Sequence, residues 1–168
     1  NLWLDPILML PLGASAVTLG LGMIVVFNRP PLDVRNFPLL IPIAHSLVAL
    51  PFVVRAIQPA LQSIPPSLRQ AASVLGAPAW RVWLEVDLPI IGRAVLASAI
   101  FSFTISLGEF GATSFLARPE VPTLPVAIFR FLSQPGALNY GQAMAMATIL
   151  MLLCAGGILV SERLTRRD

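Results

Sequence analysis

Two ionisable side chains lie inside otherwise uncharged apolar stretches of this sequence, and they are the first candidates for chemistry. Glu109 is the only ionisable residue between positions 94 and 116, and His45, the single histidine, is the only one between positions 37 and 54. A carboxylate or an imidazole in such surroundings is costly, so it marks either a solute pathway or a buried structural contact. We therefore take both residues as candidate pathway or gate groups, with a structural tie between helices as the alternative for each.

Other residue patterns that would support catalysis or metal binding are missing from the sequence. Glu109 by itself would make a weak cation site, because hard cations take several oxygen ligands and no second acid lies nearby. No phosphate-binding G-x-x-x-x-G-K-[ST] loop occurs, so ATP hydrolysis is not expected of this chain. We predict no catalytic residue, no metal site and no cofactor bound by this chain.

Residues 57–92 form the one long stretch that is neither uniformly apolar nor a simple polar linker. Pro66 can open a helix here, since proline is tolerated in the first turn. Apolar residues then recur at helical spacing, at Leu68, Ala71, Ala72 and Leu75. Gly76 follows at the position where helices commonly end in a left-handed conformation. The pattern predicts a helix that ends in a glycine turn.

A second helix is predicted directly after that turn, started by Pro78 and closed by Leu88 and Pro89. Its apolar face is predicted on Trp80, Trp83, Leu84 and Val86. Two helices joined by a glycine turn also describe a helix-turn-helix DNA reader. However, the two arginines of these helices are offset by two acids, which leaves little charge for phosphate contacts. We therefore predict no nucleic-acid partner.

The elements that must position these residues are long apolar helices. The 168-residue chain is 57% hydrophobic and 11% charged, whereas a soluble domain has roughly 45–50% apolar and about 25% charged residues. A spanning helix needs about 20 mostly apolar residues, and four runs approach or exceed that length: 7–27, 37–54, 94–116 and 143–160. The sequence predicts an all-α integral membrane protein with about four transmembrane helices. The alternative is a set of buried core helices in a large soluble protein.

The arginine distribution predicts an orientation for these helices. Seven arginines lie between the second and third runs or after the fourth, and four lie in the other two loops. The side with more arginine is usually cytoplasmic. We therefore expect residues 57–92 and both chain ends to be cytoplasmic, and the loops 28–36 and 117–142 to lie outside.

The spacing within residues 57–92 resembles the cytoplasmic EAA signature of ABC importer permeases, which reads E-A-A, three residues, G, nine residues, I-x-L-P. Here Gln70 replaces the usual glutamate and Val86 the usual isoleucine, while the other positions and the spacing match. The resemblance implies a coupling segment that docks on a separate ATPase subunit, with Gly76 at the turn. The implied coupling residues are Gln70, Ala71, Ala72, Gly76, Val86, Leu88 and Pro89.

The resemblance extends over most of the chain. Residues 106–113 and 123–125 look like permeases for ferric iron and thiamine and like those for molybdate and sulfate, whereas residues 50–55 and 67–89 resemble the iron and thiamine type more closely. The resemblance implies the C-terminal part of a permease half, with the last four of about six spans. The expected function is translocation of ferric iron or thiamine, and a molybdate or sulfate permease is the alternative.

The same resemblance implies the partners. They are ABC ATPase subunits that bind ATP, a second permease half, an extracytoplasmic solute-binding protein and membrane lipid. The implied location is the plasma membrane, or inner membrane, of a bacterium or archaeon, crossed several times.

Two hypotheses from other function classes stay open at this point. An intramembrane hydrolase would pair His45 with a serine, the candidates being Ser15, Ser102 and Ser106, although no G-x-S-x-G elbow is present. A membrane scaffold that transports nothing has no distinguishing sequence feature.

Overall fold

A computed structural model describes residues 4–27 and 39–165, in which all regular secondary structure is helical. The α-helices, in chain order, are α1 (Leu4–Gly13), α2 (Ala16–Phe27), α3 (Leu40–Gln62), α4 (Pro66–Val74), α5 (Ala79–Val82), α6 (Leu88–Gly108), α7 (Thr113–Leu116), α8 (Leu124–Leu132) and α9 (Ala137–Thr165). A π-helical turn, Trp83–Asp87, joins α5 to α6. The predicted all-α class is confirmed.

Three helical segments in the described part of the chain are long and apolar enough to cross a membrane. They are α3, the continuous helix Ala79–Gly108 and α9, while α1 and α2 would make a fourth span only as a bent pair. The helix α6 packs against both α3 and α9, and α8 packs against α9. Only 6% of the most apolar window of α9 is buried inside the chain, so its surface is available to lipid or to other subunits.

The first predicted span, residues 7–27, is not one straight helix. The structure breaks it at Ala14 and Ser15, and α2 leaves α1 at an angle of 99°. Pro11 lacks an N–H and weakens the last turn of α1. After the bend, α2 lies against the turn that follows α6, where Gly20 directly contacts the backbone of Ala112. Uniform apolarity could not show this bend, because a straight and a bent helix use the same residue types.

Replacing Gly20 by alanine is expected to destabilise the packing of α2. An added β-carbon would lie 2.6 Å from the carbonyl oxygen and 2.7 Å from the Cα of Ala112, and overpacking of this kind costs about 1–3 kcal/mol. Gly22 in the same helix has no heavy atom within 4 Å of the corresponding position. The melting temperature of the purified transporter should therefore fall for Gly20→Ala and not for Gly22→Ala. Equal melting temperatures would contradict this packing.

The other three helices differ from their predicted bounds. The helix α3 continues eight residues past the predicted end at 54, and α9 extends beyond 143–160 in both directions. The third helix ends at Gly108 rather than at 116, so Glu109 is the first residue after the helix and not a residue within it. Polar residues let a helix continue outside the hydrocarbon layer, and hydropathy alone does not record such extensions.

The prediction that Leu88 and Pro89 close a separate second helix is wrong. One continuous helix runs from Ala79 to Gly108, about 45 Å at 1.5 Å per residue. Proline inside an α-helix clashes with the carbonyl four residues earlier. Here the π turn ends at Asp87, two positions before Pro89. Its wider spacing is shown by the hydrogen bond from the Leu88 N–H to the Trp83 carbonyl. The segment after Gly76 is therefore joined rigidly to the membrane-spanning helix.

The predicted loop 117–142 contains α8 and the first residues of α9. Arg130 donates to the carbonyl of Pro119 at 2.9 Å, and the rings of Phe110 and Phe129 lie 5.3 Å apart, so α8 is held against the turn after α6. The predicted loop 28–36, with Arg29 and Arg35, lies outside the described residues, as do Arg166 and Arg167.

Candidate functional site

Gly76 has the conformation that the sequence predicts for it. Its φ is +80°, a region that glycine enters without steric cost. The Gly76 N–H donates to the carbonyl of Ser73, and the Ala77 N–H donates to that of Ala72, both at 3.0 Å. This pair of bonds is a Schellman motif, which satisfies carbonyls at the end of α4. The turn between the two helices of the signature is thus closed by backbone hydrogen bonds.

A partly buried ion pair joins the two helices on either side of this turn. Arg69 Nε on α4 donates to Asp87 Oδ1 in the π turn at 2.8 Å. The Asp87 side chain is only 10% exposed, whereas that of Arg69 is 43% exposed. The sequence shows both charges but not their contact, because they are eighteen residues apart. Together with the Gly76 turn, this pair couples the orientation of α4 to the long helix Ala79–Gly108.

Arg69→Gln is expected to destabilise this joint more than Asp87→Asn. The first change leaves a buried carboxylate without its cation, while the second leaves a half-exposed guanidinium that water can solvate. Loss of a charged hydrogen bond costs about 1.5–3 kcal/mol, so the melting temperature should fall clearly for Arg69→Gln. Arg81→Gln is the matched control, because Arg81 and Glu85 form an exposed pair at 3.7 Å, which is worth little. An equal fall in melting temperature for Arg81→Gln would contradict the stabilising role of the Arg69–Asp87 pair.

The apolar residues of this segment are mostly exposed, contrary to the predicted faces. No residue of α4 is buried, and Leu75 is 86% exposed. In the second helix Val82 is buried instead of the predicted tryptophans. The exposed tip consists of Val74, Leu75, Trp80, Trp83 and Leu84. We call this set the apolar tip.

The remaining residues of the signature lie around the apolar tip. Gln70 and Ala71 are exposed, Ala72 and Val86 are half-buried, and Leu88 and Pro89 are exposed at the start of α6. An apolar surface of this kind next to a fixed turn is typical of a protein-interaction site. The coupling role of these residues stays a prediction.

At the opposite end of the bundle, the structure brings Glu109 and His45 together. The Glu109 carboxylate accepts hydrogen bonds from the N–H groups of Ala112 at 2.8 Å and Thr113 at 3.1 Å, and Oε2 lies 3.7 Å from His45 Nε2. The Thr113 hydroxyl donates back to the Glu109 carbonyl at 2.8 Å. Glu109 therefore ties the end of α6 to the start of α7, which is the geometry of the structural alternative. A gate role for the two residues remains a prediction.

A groove of about 760 Å³ lies beside this pair, between α3, α6 and the start of α8. His45, Ser46, Ser102, Ser106 and Thr123 are among the residues that line it, and none of its lining residues is an arginine or an acid. The sequence predicts His45 as a pathway or gate group, whereas it offers Ser102 and Ser106 only as candidates for a hydrolase. The i, i+4 spacing of the two serines was a signal for a polar helix face, but the position of Thr123 depends on the fold. Within residues 4–27 and 39–165 no group of three or more metal-ligating side chains occurs.

The comparison with known families identifies the chain. Residues 1–167 match the family described as the binding-protein-dependent transport system inner membrane component. The chain belongs to this permease family. Membership accounts for the EAA-type spacing around Gly76 and agrees with the multi-pass helical fold.

Several relatives of the permease chain have names that specify a transport system. The molybdenum transport system permease protein ModB of Haemophilus influenzae is 40% identical over 128 residues, which cover 74% of this chain and 55% of the relative. A probable sulfate transport system permease protein, cysT, of Anthoceros angustus is 33% identical, covering 86% of this chain and 47% of the relative. The putative 2-aminoethylphosphonate transport system permease protein PhnV of Salmonella typhimurium is 30% identical over 165 residues, which cover 98% of this chain and 61% of the relative. The chain thus spans about half the length of these relatives.

The names of these relatives bear on the expected substrate. None of the three names refers to iron or thiamine. The resemblance to the iron and thiamine type therefore finds no support here, and the molybdate and sulfate alternative fits better. The hydrolase and scaffold hypotheses find no support either, since these relatives are transport permeases.

Proposed function

We propose that this chain forms part of the transmembrane pathway of an ABC importer for a small oxyanion of the molybdate or sulfate type. The observation that carries the importer role is the closed glycine turn at Gly76, which presents the apolar tip inside an EAA-type signature, while the molybdenum and sulfate systems in the names of two relatives support the substrate class. A separate ATPase would bind this tip, and the closing motion of the ATPase would be transmitted through the tip to this chain. The rigid helix Ala79–Gly108 would carry that motion from the tip into the membrane.

The proposed importer divides solute passage and ATP hydrolysis between separate subunits. No phosphate loop is present in the 168 residues, so ATP binding and hydrolysis are assigned to the partner ATPase. A second permease half and an extracytoplasmic binding protein would complete the importer. The small-residue contacts of α6 with α9, such as Gly157 against Thr104, show the close helix approach that membrane bundles use.

The orientation proposed for the chain keeps the Gly76 turn in the cytoplasm. Asp5 and Leu8 of α1 line a cleft together with Gln58 and Leu61, at the end of α3 that leads to the turn. This arrangement supports a common side for the start of α1 and the signature, as the arginine distribution predicts. The location proposed is a bacterial or archaeal inner membrane.

The test is uptake by the complete transporter, reconstituted in liposomes with its ATPase and its binding protein. We expect ATP-dependent accumulation of radiolabelled molybdate or sulfate, and none of ferric iron or thiamine. A hydrolysis-deficient ATPase is the control and should abolish uptake. Accumulation of thiamine or iron instead, or of no oxyanion, would overturn the proposed substrate class.

A further inference from the structure

The groove beside His45 contains polar atoms that the protein leaves without hydrogen bonds. Among the described residues, three buried side-chain atoms have no hydrogen-bond partner: His45 Nε2, Ser102 Oγ and Thr123 Oγ1. All three residues line this groove. They come from α3, from α6 and from the residue before α8, so the fold, and not local sequence, brings them to one place.

Other hydroxyls near Ser102 are bonded within their own helices, and so is Ser46 in the groove itself, which donates to the carbonyl of Pro42 at 2.8 Å. On α6, Ser98 donates to the carbonyl of Ala94 at 2.6 Å and Thr104 donates to that of Ile100 at 2.9 Å. Ser102 lies between these two residues on the same helix and makes no such bond. Serine and threonine in helices usually satisfy themselves in this way. The Ser102 hydroxyl, buried in the wall of the groove, therefore keeps an unused hydrogen-bonding capacity, and a rotation of its side chain would turn it towards the groove.

Unpaired polar atoms cannot face lipid without a cost of several kcal/mol each. They must meet water, a polar solute or another protein group. The groove volume of about 760 Å³ falls within the range of roughly 300–1,000 Å³ that is typical of ligand-binding clefts. The groove lies between the N-terminal part of α3 and the C-terminal part of α6, at the end of the bundle remote from Gly76. A solute delivered from outside would enter at this end.

The donor chemistry of the groove suits an oxyanion. Two hydroxyls can donate to oxygen, and His45 Nε2 is a donor in the tautomer that carries its proton on this nitrogen. The Glu109 carboxylate, 3.7 Å from that nitrogen, is 4% exposed, accepts two backbone N–H groups and does not line the groove. The two N–H groups offset part of its negative charge.

We propose that His45 Nε2, Ser102 Oγ and Thr123 Oγ1 form a transient binding site for a tetrahedral oxyanion in the translocation pathway. This inference rests on the proposed function and deepens it by naming the residues that contact the solute. The absence of arginine from the groove lining fits a passage site, because conduction requires binding that is favourable enough to enter and weak enough to leave. A cluster of guanidiniums would hold the anion too firmly.

Cysteine labelling in the complete transporter tests the contact. Ser102→Cys and Thr123→Cys are introduced singly, with the free Cys154 replaced by alanine, and are treated with a membrane-impermeant thiol reagent. We expect both cysteines to react with the reagent. Binding protein loaded with molybdate or sulfate should slow the reaction about threefold or more, whereas empty binding protein should not slow it. Ser98→Cys is the matched control on the same helix and should not react.

Uptake by conservative variants gives a second measurement. Ser102→Ala and Thr123→Val should each lower oxyanion uptake roughly 3- to 10-fold, the effect of one lost neutral hydrogen bond, while ATP hydrolysis stimulated by loaded binding protein is kept. Ser98→Ala and Thr148→Val, whose hydroxyls are bonded within their own helices, should leave uptake unchanged.

The two proposals fail in different ways. Normal wild-type uptake of molybdate or sulfate, together with unreactive or unprotected cysteines at 102 and 123, would overturn the groove site and leave the proposed function standing. Unreactive cysteines would mean that another protein segment covers the groove. A wild-type transporter that accumulates no oxyanion would overturn the proposed function and the substrate class of the groove together.

Discussion

Replacing Glu109 by leucine is expected to destabilise the transporter strongly and to abolish uptake. Leucine removes the acceptor of two N–H groups at the start of α7, those of Ala112 and Thr113. Both residues are fully buried, so no water replaces the carboxylate. Each unpaired buried donor costs about 1–3 kcal/mol, and two of them approach the stability of a small domain. Thermal unfolding of the purified transporter and uptake in liposomes measure the two effects.

Glu109→Gln separates the structural role from a need for charge. Glutamine keeps one acceptor oxygen and can satisfy one of the two N–H groups. The melting temperature of the Glu109→Gln protein should therefore lie between those of the wild type and the Glu109→Leu protein. Uptake should follow stability. A Glu109→Gln protein that melts close to the wild type but has lost uptake would instead favour the gate hypothesis for Glu109 and His45. Glu120→Leu is the control, because Glu120 is exposed.

Gly76→Val is the second change with a large expected effect. At φ +80° a β-branched residue is strained by about 1–3 kcal/mol, and the Schellman turn would open to relieve it. No heavy atom lies within 4 Å of an added β-carbon, so the effect is conformational and not a clash. We expect the ATPase to co-purify less and uptake to fall tenfold or more, while insertion into the membrane is kept.

Substitutions matched in position or type make this result specific. Gly76→Asn should be much milder, because asparagine enters the left-handed region more easily than other residues with a side chain. Gly92→Ala, in α6 and with no heavy atom within 4 Å of the added carbon, should be silent. Gln70→Glu, which restores the residue usual in the family, should be tolerated. Normal ATPase binding and uptake by Gly76→Val would refute the coupling assignment.

Features that depend on local sequence could be predicted well. The all-α class follows from long apolar runs, which have one way to satisfy their backbone in lipid. The turn at Gly76 follows from the preference of glycine for positive φ, and the structure contains it. The family follows from a spacing that spans only twenty residues. Each of these depends on residues close together in the chain.

Features that depend on distant contacts could not be predicted. The 99° bend between α1 and α2 is favoured by the fit of Gly20 on Ala112, a contact across ninety residues of sequence. The continuation of the helix past Pro89 depends on the π turn before it, which hydropathy does not encode. Glu109 looked like an intramembrane charge because the apolar run continues to 116, yet the helix ends before it.

The sequence by itself determined that the long apolar segments are helical, where the glycine turn lies and which family the chain resembles, because these depend on residue type and short spacing. Only the tertiary structure decided that Arg69 pairs with Asp87, that Glu109 caps α7 beside His45, and that the unpaired polar atoms of His45, Ser102 and Thr123 lie in the wall of one groove. The physical reason is that a hydrogen bond or a charge acts over a few ångströms in space. Two residues far apart in the chain therefore acquire a shared role only when packing brings them together.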